Sequence, residues 1–185
     1  LDMSDSPLVS VIMNCYNGET FLKDAIDSVF QQTYDNWEII FFDNSSTDSS
    51  KEIACSYGDK VTYICSTELL PLGSARKEAV KHAKGEWICF LDADDLWYPN
   101  KLTSQISLAS DNSVALIYSG IDNIDIAGTA FSRYQPKSRS GNLLNMLLNR
   151  FDINMVTPII NRQFLVDNRI TFNGKIHASE EYNLF

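Results

Sequence analysis

The chain is poor in positive charge: 15 Lys and Arg stand against 24 Asp and Glu, a net charge of −9 over 185 residues. A general nucleic-acid binder would carry a basic face, so that class is excluded. Any anionic ligand would need a metal ion or local Arg and Lys to offset the repulsion. No apolar run approaches the roughly 18 residues of a membrane span. Residues 1–7 are short and acidic, so no signal peptide is expected before Ser10. The expected location is cytoplasmic, with peripheral attachment at the inner membrane face the one membrane association left open. Cysteines number four, Cys15, Cys55, Cys65 and Cys89, with no C-x-x-C spacing and no nearby His to complete a zinc site. Reduced thiols are expected, those of Cys65 and Cys89 buried within strands. No G-x-G-x-x-G follows the first apolar run, which removes dinucleotide oxidoreductases. With 44% hydrophobic and 21% charged residues, the chain is neither disordered nor a coiled coil and can bury a real core.

What is present is alternation. Residues 8–13, 37–42, 61–65 and 87–91 are short apolar, β-branched or aromatic runs that predict buried strands. Between them lie helical patterns. Asn17 is placed to cap a first helix whose stripe is Phe21, Leu22, Ala25, Ile26, Val29 and Phe30. Thr47 and Asp48 start a second, through about Tyr57. Gly73 and Ser74 open a third, closed by Gly85 as a C-terminal cap, and Pro99 begins a fourth. Strand–helix alternation at this spacing predicts right-handed βαβ units and a mainly parallel, Rossmann-like sheet flanked by helices. After about residue 112 the pattern weakens. Strands are expected at 114–118 and 155–160, a turn at Gly128 between two weakly alternating runs in 121–134, and a polar loop at 135–141. Helices are expected over 143–148 and from Ser179, the last with no stop signal by Phe185. Residues 8–112 thus form one half of a single domain, and 113–185 a smaller mixed half, truncated at its C-terminus.

In open parallel sheets, ligands bind beyond the carboxyl ends of the strands. The residues there are polar: 14–19, 43–48 and 92–95. The last set, Asp92-Ala93-Asp94-Asp95, packs three carboxylates into four residues directly after a hydrophobic strand. Such a like-charge cluster persists when a hard cation with oxygen ligands neutralises it. An ion held by only one or two protein carboxylates keeps positions free for phosphate oxygens, as Mg²⁺ prefers.

Four segments, in order, resemble family 2 glycosyltransferases, inverting enzymes of the glycosyltransferase-A fold. They are S-V-I-M-N-C-Y-N-G-E from Ser10, F-F-D-N-S-S-T-D from Phe41, G-S-A-R-K from Gly73 and F-L-D-A-D-D from Phe90. S-E-E-Y-N-L-F from Ser179 is similar to the family's acidic pair opening a helix. The resemblance implies a donor that is a nucleoside-diphosphate sugar, a glycan or lipid-linked glycan as acceptor, and Mg²⁺ or Mn²⁺ as cofactor. It implies that Cys15, Tyr16, Asn17 and Glu19 border the nucleotide, and that Asp43 or Asn44 meets the base edge. Arg76 would lie near the nucleotide, Asp92 and Ala93 near ribose and metal, and Asp94 on the metal. Glu181, with Glu180 beside it, falls where the family places its general base. The region from about 114 onward would shape the acceptor site.

Three positions depart from the family pattern. Asn14 stands where Pro is frequent, Asn44 where a second Asp is common, and Glu181 where Asp is usual. Uracil and thymine both offer an N3–H donor, so an acceptor is required opposite. Asn supplies one without the charge-assisted strength of Asp, and Asn44→Asp is therefore expected to strengthen uridine binding. The longer Glu181 shifts its carboxylate by more than about 1 Å, enough to cost about a hundredfold in rate unless the backbone compensates. Two rival functions stay open: a sugar nucleotidyltransferase, and a degenerate glycosyltransferase fold that binds nucleotide without turnover. The first should carry a Gly-rich, basic phosphate loop after the first strand, whereas this loop is N-C-Y-N-G-E. A response-regulator-like domain fits poorly, because its acidic pair follows the first strand.

Overall fold

A computed structural model describes residues 6–109, 114–136, 141 and 153–172. The expected helices at 143–148 and from Ser179, the latter with Glu180 and Glu181, lie outside these residues.

The chain runs β1 (Val9–Cys15), α1 (Glu19–Phe30), β2 (Trp37–Asp43), α2 (Ser50–Cys55), β3 (Val61–Cys65), α3 (Leu72–Val80), β4 (Trp87–Phe90) and α4 (Lys101–Ile106). It continues as β5 (Leu116–Ile117), β6 (Ile121–Ile124), β7 (Ala130–Tyr134), β8 (Ile159–Asn161) and α5 (Arg162–Asp167). One six-stranded sheet has the order β3-β2-β1-β4-β8-β5, and β6 and β7 form a separate hairpin. β1 lies parallel to β2, from Val9 opposite Trp37 to Cys15 opposite Asp43, and parallel to β4, from Val9 opposite Trp87 to Ile12 opposite Phe90. β8 runs antiparallel to both β4 and β5. The sheet is therefore mainly parallel. The chain leaves β1 towards β3, then returns to place β4 on the other side of β1, so the switch in direction falls between β1 and β4.

Both faces of the sheet are covered, which is why the central strands are apolar throughout rather than alternating. Val9, Val11 and Met13 pack with Leu22, Ile26 and Val29 of α1, Ile39, Phe41 and Leu102 of α4. Ile12 packs on the other face with Ile40, Phe42, Ala75 and Ala79 of α3, Phe90, Ile160 and Leu165 of α5. Side chains such as Leu22 and Ile26 are fully buried, each worth about 1.5–3 kcal/mol relative to exposure.

Several local expectations need correction. Asn17 does not cap α1; Gly18 occupies that position without a side-chain bond, and Asn17 Oδ1 accepts from Thr47 N at 2.8 Å. Gly85 does not close α3, which ends at Val80. Its role is close approach, since a Cβ there would sit 2.5 Å from Ser10 N, while Gly85 N donates to Ser10 Oγ at 2.8 Å. Cys65 is exposed, because β3 is an edge strand, whereas Cys89 is buried and its thiol is pushed up to about 12. The expected turn at Gly128 is present, with φ of 79°.

Lys101, at the start of α4, is half-buried beside the Trp97 ring. Its Nζ donates to Gln105 Oε1 at 2.6 Å and Thr157 O at 3.3 Å, and lies 4.5 Å from the centroid of the Trp97 ring. No carboxylate pairs with it among the described residues, and burial lowers its pKa from 10.5 to about 8. A folded-state pKa below the unfolded one means the unfolded chain binds more protons between those values, so this group's contribution to stability rises with pH across that interval. Lys101→Met, which keeps the contact with Trp97, is expected to raise the melting temperature at pH 7. The gain should shrink as pH climbs from 8 towards 10. Thermal unfolding across pH 6–10 measures both.

Candidate active site

The loops after β1 and β2 are sewn to each other. Asn17 N donates to Ser46 Oγ at 3.0 Å, Gly18 N to Ser50 Oγ at 3.0 Å and Glu19 N to Asp48 Oδ2 at 2.9 Å. In return, Thr47 N donates to Asn17 Oδ1 and Ser49 N to Glu19 Oε2, the latter at 3.0 Å. The orphan N–H groups at the start of α1 and α2 thus find side-chain acceptors on the neighbouring loop. Asn17 and Ser45 hold left-handed backbone, φ 53° and 69°. Asn tolerates that region; Ser does so at a cost, a strain that clusters at functional sites.

Each expected site residue among the described residues has a definite place. Cys15 is buried, its backbone O accepting from Asn44 N at 2.7 Å, and burial raises its thiol pKa. Tyr16 projects, 53% exposed. Asp43 is buried, with Oδ1 accepting from Ser46 N at 2.7 Å and Oδ2 from Tyr63 Oη at 2.6 Å. Asn44 is buried too, and its amide is already engaged: Nδ2 donates to Leu70 O at 2.8 Å, and Oδ1 accepts from Leu70 N at 2.9 Å. In this arrangement Asn44 positions the 66–70 segment instead of presenting a free acceptor.

The acidic turn closes the other side. Arg76, buried on α3, donates from one terminal nitrogen to Asp92 Oδ1 at 3.2 Å and lies over the Phe90 ring. Asp94 is exposed, and Ala93 lies close enough to the β1 loop that a Cβ on Gly18 would come within 3.1 Å of its Cβ. Asp95 N donates to Asp92 O at 3.1 Å, tightening the turn. Burial, then Asp92 and Asp94, push the Asp95 carboxyl up to about 6. Among the described residues no three His, Cys, Asp or Glu side chains converge as a metal cage. What the turn offers is the Asp92 and Asp94 pair, hard oxygen ligands that leave most coordination positions to another molecule.

Beyond the turn lies a cavity of about 540 Å³, between residues 95–105 and the β6–β7 hairpin. The hairpin is anchored by Asp122, which accepts from Arg133 Nε at 2.6 Å, a second Arg133 nitrogen at 2.7 Å and Tyr98 Oη at 2.7 Å. The Arg133 fork, with Tyr98, holds the Asp122 carboxyl down at about 2. Sequence reasoning missed this cluster, together with Tyr63 and the serines of the second loop. Their partners are distant in sequence, and no local spacing announces them.

The profile of glycosyl transferase family 2 matches residues 10–168. The glucosyltransferase WfgD of Escherichia coli, named as acting from UDP-Glc on alpha-D-GlcNAc-diphosphoundecaprenol, is 33% identical over 179 residues, covering 96% of this chain and 68% of WfgD. An uncharacterized glycosyltransferase of Rickettsia typhi is 41% identical over 136 residues, covering 72% of this chain and 42% of the relative. Among solved structures, S. aureus TarS 1–349 in complex with UDP superposes with a TM-score of 0.79 at 23% identity, covering 95% of this chain and 53% of TarS 1–349. The mannosyltransferase PcManGT of Pyrobaculum calidifontis, in complex with GDP-Man and Mn²⁺, superposes with a TM-score of 0.72 at 20% identity, over 98% of this chain and 52% of that one. The chain belongs to glycosyl transferase family 2 and has the glycosyltransferase-A fold. It spans about half the length of the solved relatives it matches.

The geometry of Asn44 reverses the expected effect of Asn44→Asp. A carboxylate can still accept from Leu70 N but faces Leu70 O without a proton to donate. The substitution should lower stability by about 1–3 kcal/mol, the scale of a buried polar group left unpaired, and should not strengthen UDP binding. Chemical denaturation and a UDP titration of the same variant give the two readouts.

Proposed function

We propose that the protein transfers a sugar from a nucleoside-diphosphate sugar, UDP-linked, to a hydroxyl of a glycan or lipid-linked glycan, with inversion, in bacterial surface polysaccharide synthesis. The observation that carries this is the Asp92/Asp94 turn at the carboxyl edge of β4, beside the switch between β1 and β4, with Arg76 drawn onto Asp92. WfgD, named as a UDP-Glc-dependent transferase, and TarS, solved with UDP, support the donor class. Tyr16, Asn17 and the second loop form the nucleotide wall, and the cavity beyond Asp95 lies on the acceptor side.

Asp92 and Asp94 would hold Mg²⁺ or Mn²⁺, since both are hard oxygen donors. When bound, the ion supplies the positive charge that this acidic chain lacks, opposite the leaving diphosphate. Arg76 adds a fixed cation whose orientation is already set by Asp92. The proton of the acceptor hydroxyl goes to the Glu181 carboxylate as the oxygen attacks the anomeric carbon from the face opposite the leaving diphosphate. A single displacement of that kind inverts the centre. No Gly-rich basic loop follows β1, which disfavours nucleotidyl transfer.

UDP titrated by calorimetry should bind with Mn²⁺, weaken in EDTA, and weaken in Asp94→Ala with Mn²⁺ present. Equal affinity in all three sinks the metal role. In the full-length protein, Glu181→Gln should retain donor binding and lose sugar transfer by about a hundredfold or more, whereas Glu180→Gln should lose far less. A wild-type protein that binds UDP-sugar and never turns over would favour the degenerate fold.

A further inference from the structure

On the face of the sheet away from α1, the α3 and α5 segments leave a second cavity, of about 480 Å³. Its floor is apolar: Val80, Ala83, Ile88 of β4, Leu165 and Ile170. Phe172 also lines it, with its ring edge-on to Phe90 at 5.3 Å between centroids. Four cations stand around it, Lys77 and Lys81 from the α3 side and Arg162 and Arg169 from the α5 side, and no carboxylate lines it. None of these residues belongs to the loops that form the cleft, so the cavity is a separate feature.

Four of the 15 Lys and Arg in a chain of net charge −9 therefore gather at one apolar hollow. The nearby carboxylates are spent elsewhere or on one of the four: Glu78 pairs with Lys81 at 2.6 Å, and Asp167 accepts from Gln163 at 2.7 Å. Among the described residues, no carboxylate pairs with Lys77, Arg162 or Arg169. Arg162 Nε donates to Gly85 O at 2.6 Å, which fixes the guanidinium while its terminal nitrogens make no bond among the described residues. Arg169 holds left-handed backbone, φ 54°, in the turn that ends α5, where glycine is the usual occupant. Val166, which lines the same cavity, is 59% exposed.

Cations crowded round an apolar floor repel one another and leave the floor wet, and both costs fall when an anion with an apolar tail fills the hollow. We propose that this cavity binds an anionic phospholipid at a bilayer surface, its phosphate on the rim of Lys77, Lys81, Arg162 and Arg169 and the start of an acyl chain on the floor. The volume is that of a small-molecule site. An acidic peptide or a nucleic acid would match the rim and leave the floor uncovered. A local basic rim is also what an acidic chain needs to approach an anionic leaflet, which its net charge otherwise opposes.

The full-length protein and its Lys77→Gln/Arg169→Gln variant would be sedimented with vesicles of phosphatidylcholine alone and of phosphatidylcholine with phosphatidylglycerol. Wild type should bind the mixed vesicles and not the neutral ones. The double variant should bind about thirtyfold more weakly, the scale of two basic residues removed from an anionic surface. Ala83→Leu fills part of the floor and leaves every charge in place, and it should weaken binding severalfold. Thermal unfolding checks that each variant folds; if Ala83→Leu does not, Val166→Ser takes its place and is judged in the same way. No binding to mixed vesicles, equal binding to neutral ones, or unchanged binding by the double variant overturns the proposal. A loss in the double variant with none in the floor variant also overturns it, because the cations would then act as a flat basic patch. Inorganic phosphate that binds by calorimetry and releases the protein from vesicles assigns the rim to a free anion and overturns the lipid. A wild-type dimer by light scattering that the double variant breaks assigns this face to a second copy of the chain, and overturns it too.

Discussion

The cleft exists because two loops satisfy each other's backbone. Asn17, Gly18 and Glu19 donate into the second loop, and Thr47 and Ser49 donate back. Core packing of Leu22 and Ala54 holds the two helices against the sheet but leaves their first N–H groups unsatisfied. What fixes both is the cost of leaving the first N–H groups of α1 and α2 unpaired. Because the bonds run both ways, moving one loop breaks the partners of the other. The rim of the sheet is therefore a single rigid unit made from two exposed segments. Gly18, wedged between Cys15 Sγ and Ala93, ties that unit to the acidic turn.

Electrostatics then decides what the rim can hold. The acidic turn raises the Asp95 carboxyl by burial and like charge, so the local potential is negative where the family reading needs a diphosphate. Arg76 is the structural answer within the chain. It is buried, its guanidinium is oriented by Asp92, and the Phe90 ring lies beneath it. Desolvation draws a Lys pKa down towards neutrality, as at Lys101, whereas a guanidinium stays charged whatever its surroundings.

The sequence made some of this legible and hid the rest. The run at 37–42 fell within a residue of the observed strand, because a strand buried on both faces is apolar nearly from end to end. The rule that ligands gather at carboxyl ends located the three loops. The strand expected at 155–160 begins only at Ile159, since it enters the sheet antiparallel and late, where local pattern carries no register. Within the site, residue types were readable but their occupancy was not. Asn44 and Asn14 have the same side chain, yet one amide is saturated by Leu70 and the other by nothing. That difference depends on whether a segment from elsewhere in the chain arrives within 3 Å, and no spacing within a motif encodes it.

The insertion of β8 between β4 and β5 bears on how the protein folds during synthesis. Trp87–Phe90 is a fully buried strand whose second edge is capped by Ile159–Asn161, about seventy residues later. At about 5–20 residues per second, the ribosome leaves that edge open for on the order of several seconds after the β1–β4 half has emerged. An exposed, flat, hydrophobic edge is a template for pairing with other chains. The nascent protein therefore has a window in which it is prone to aggregate and in need of a chaperone. Substitutions that weaken β8 should reduce soluble yield more than they reduce the stability of the protein that does fold.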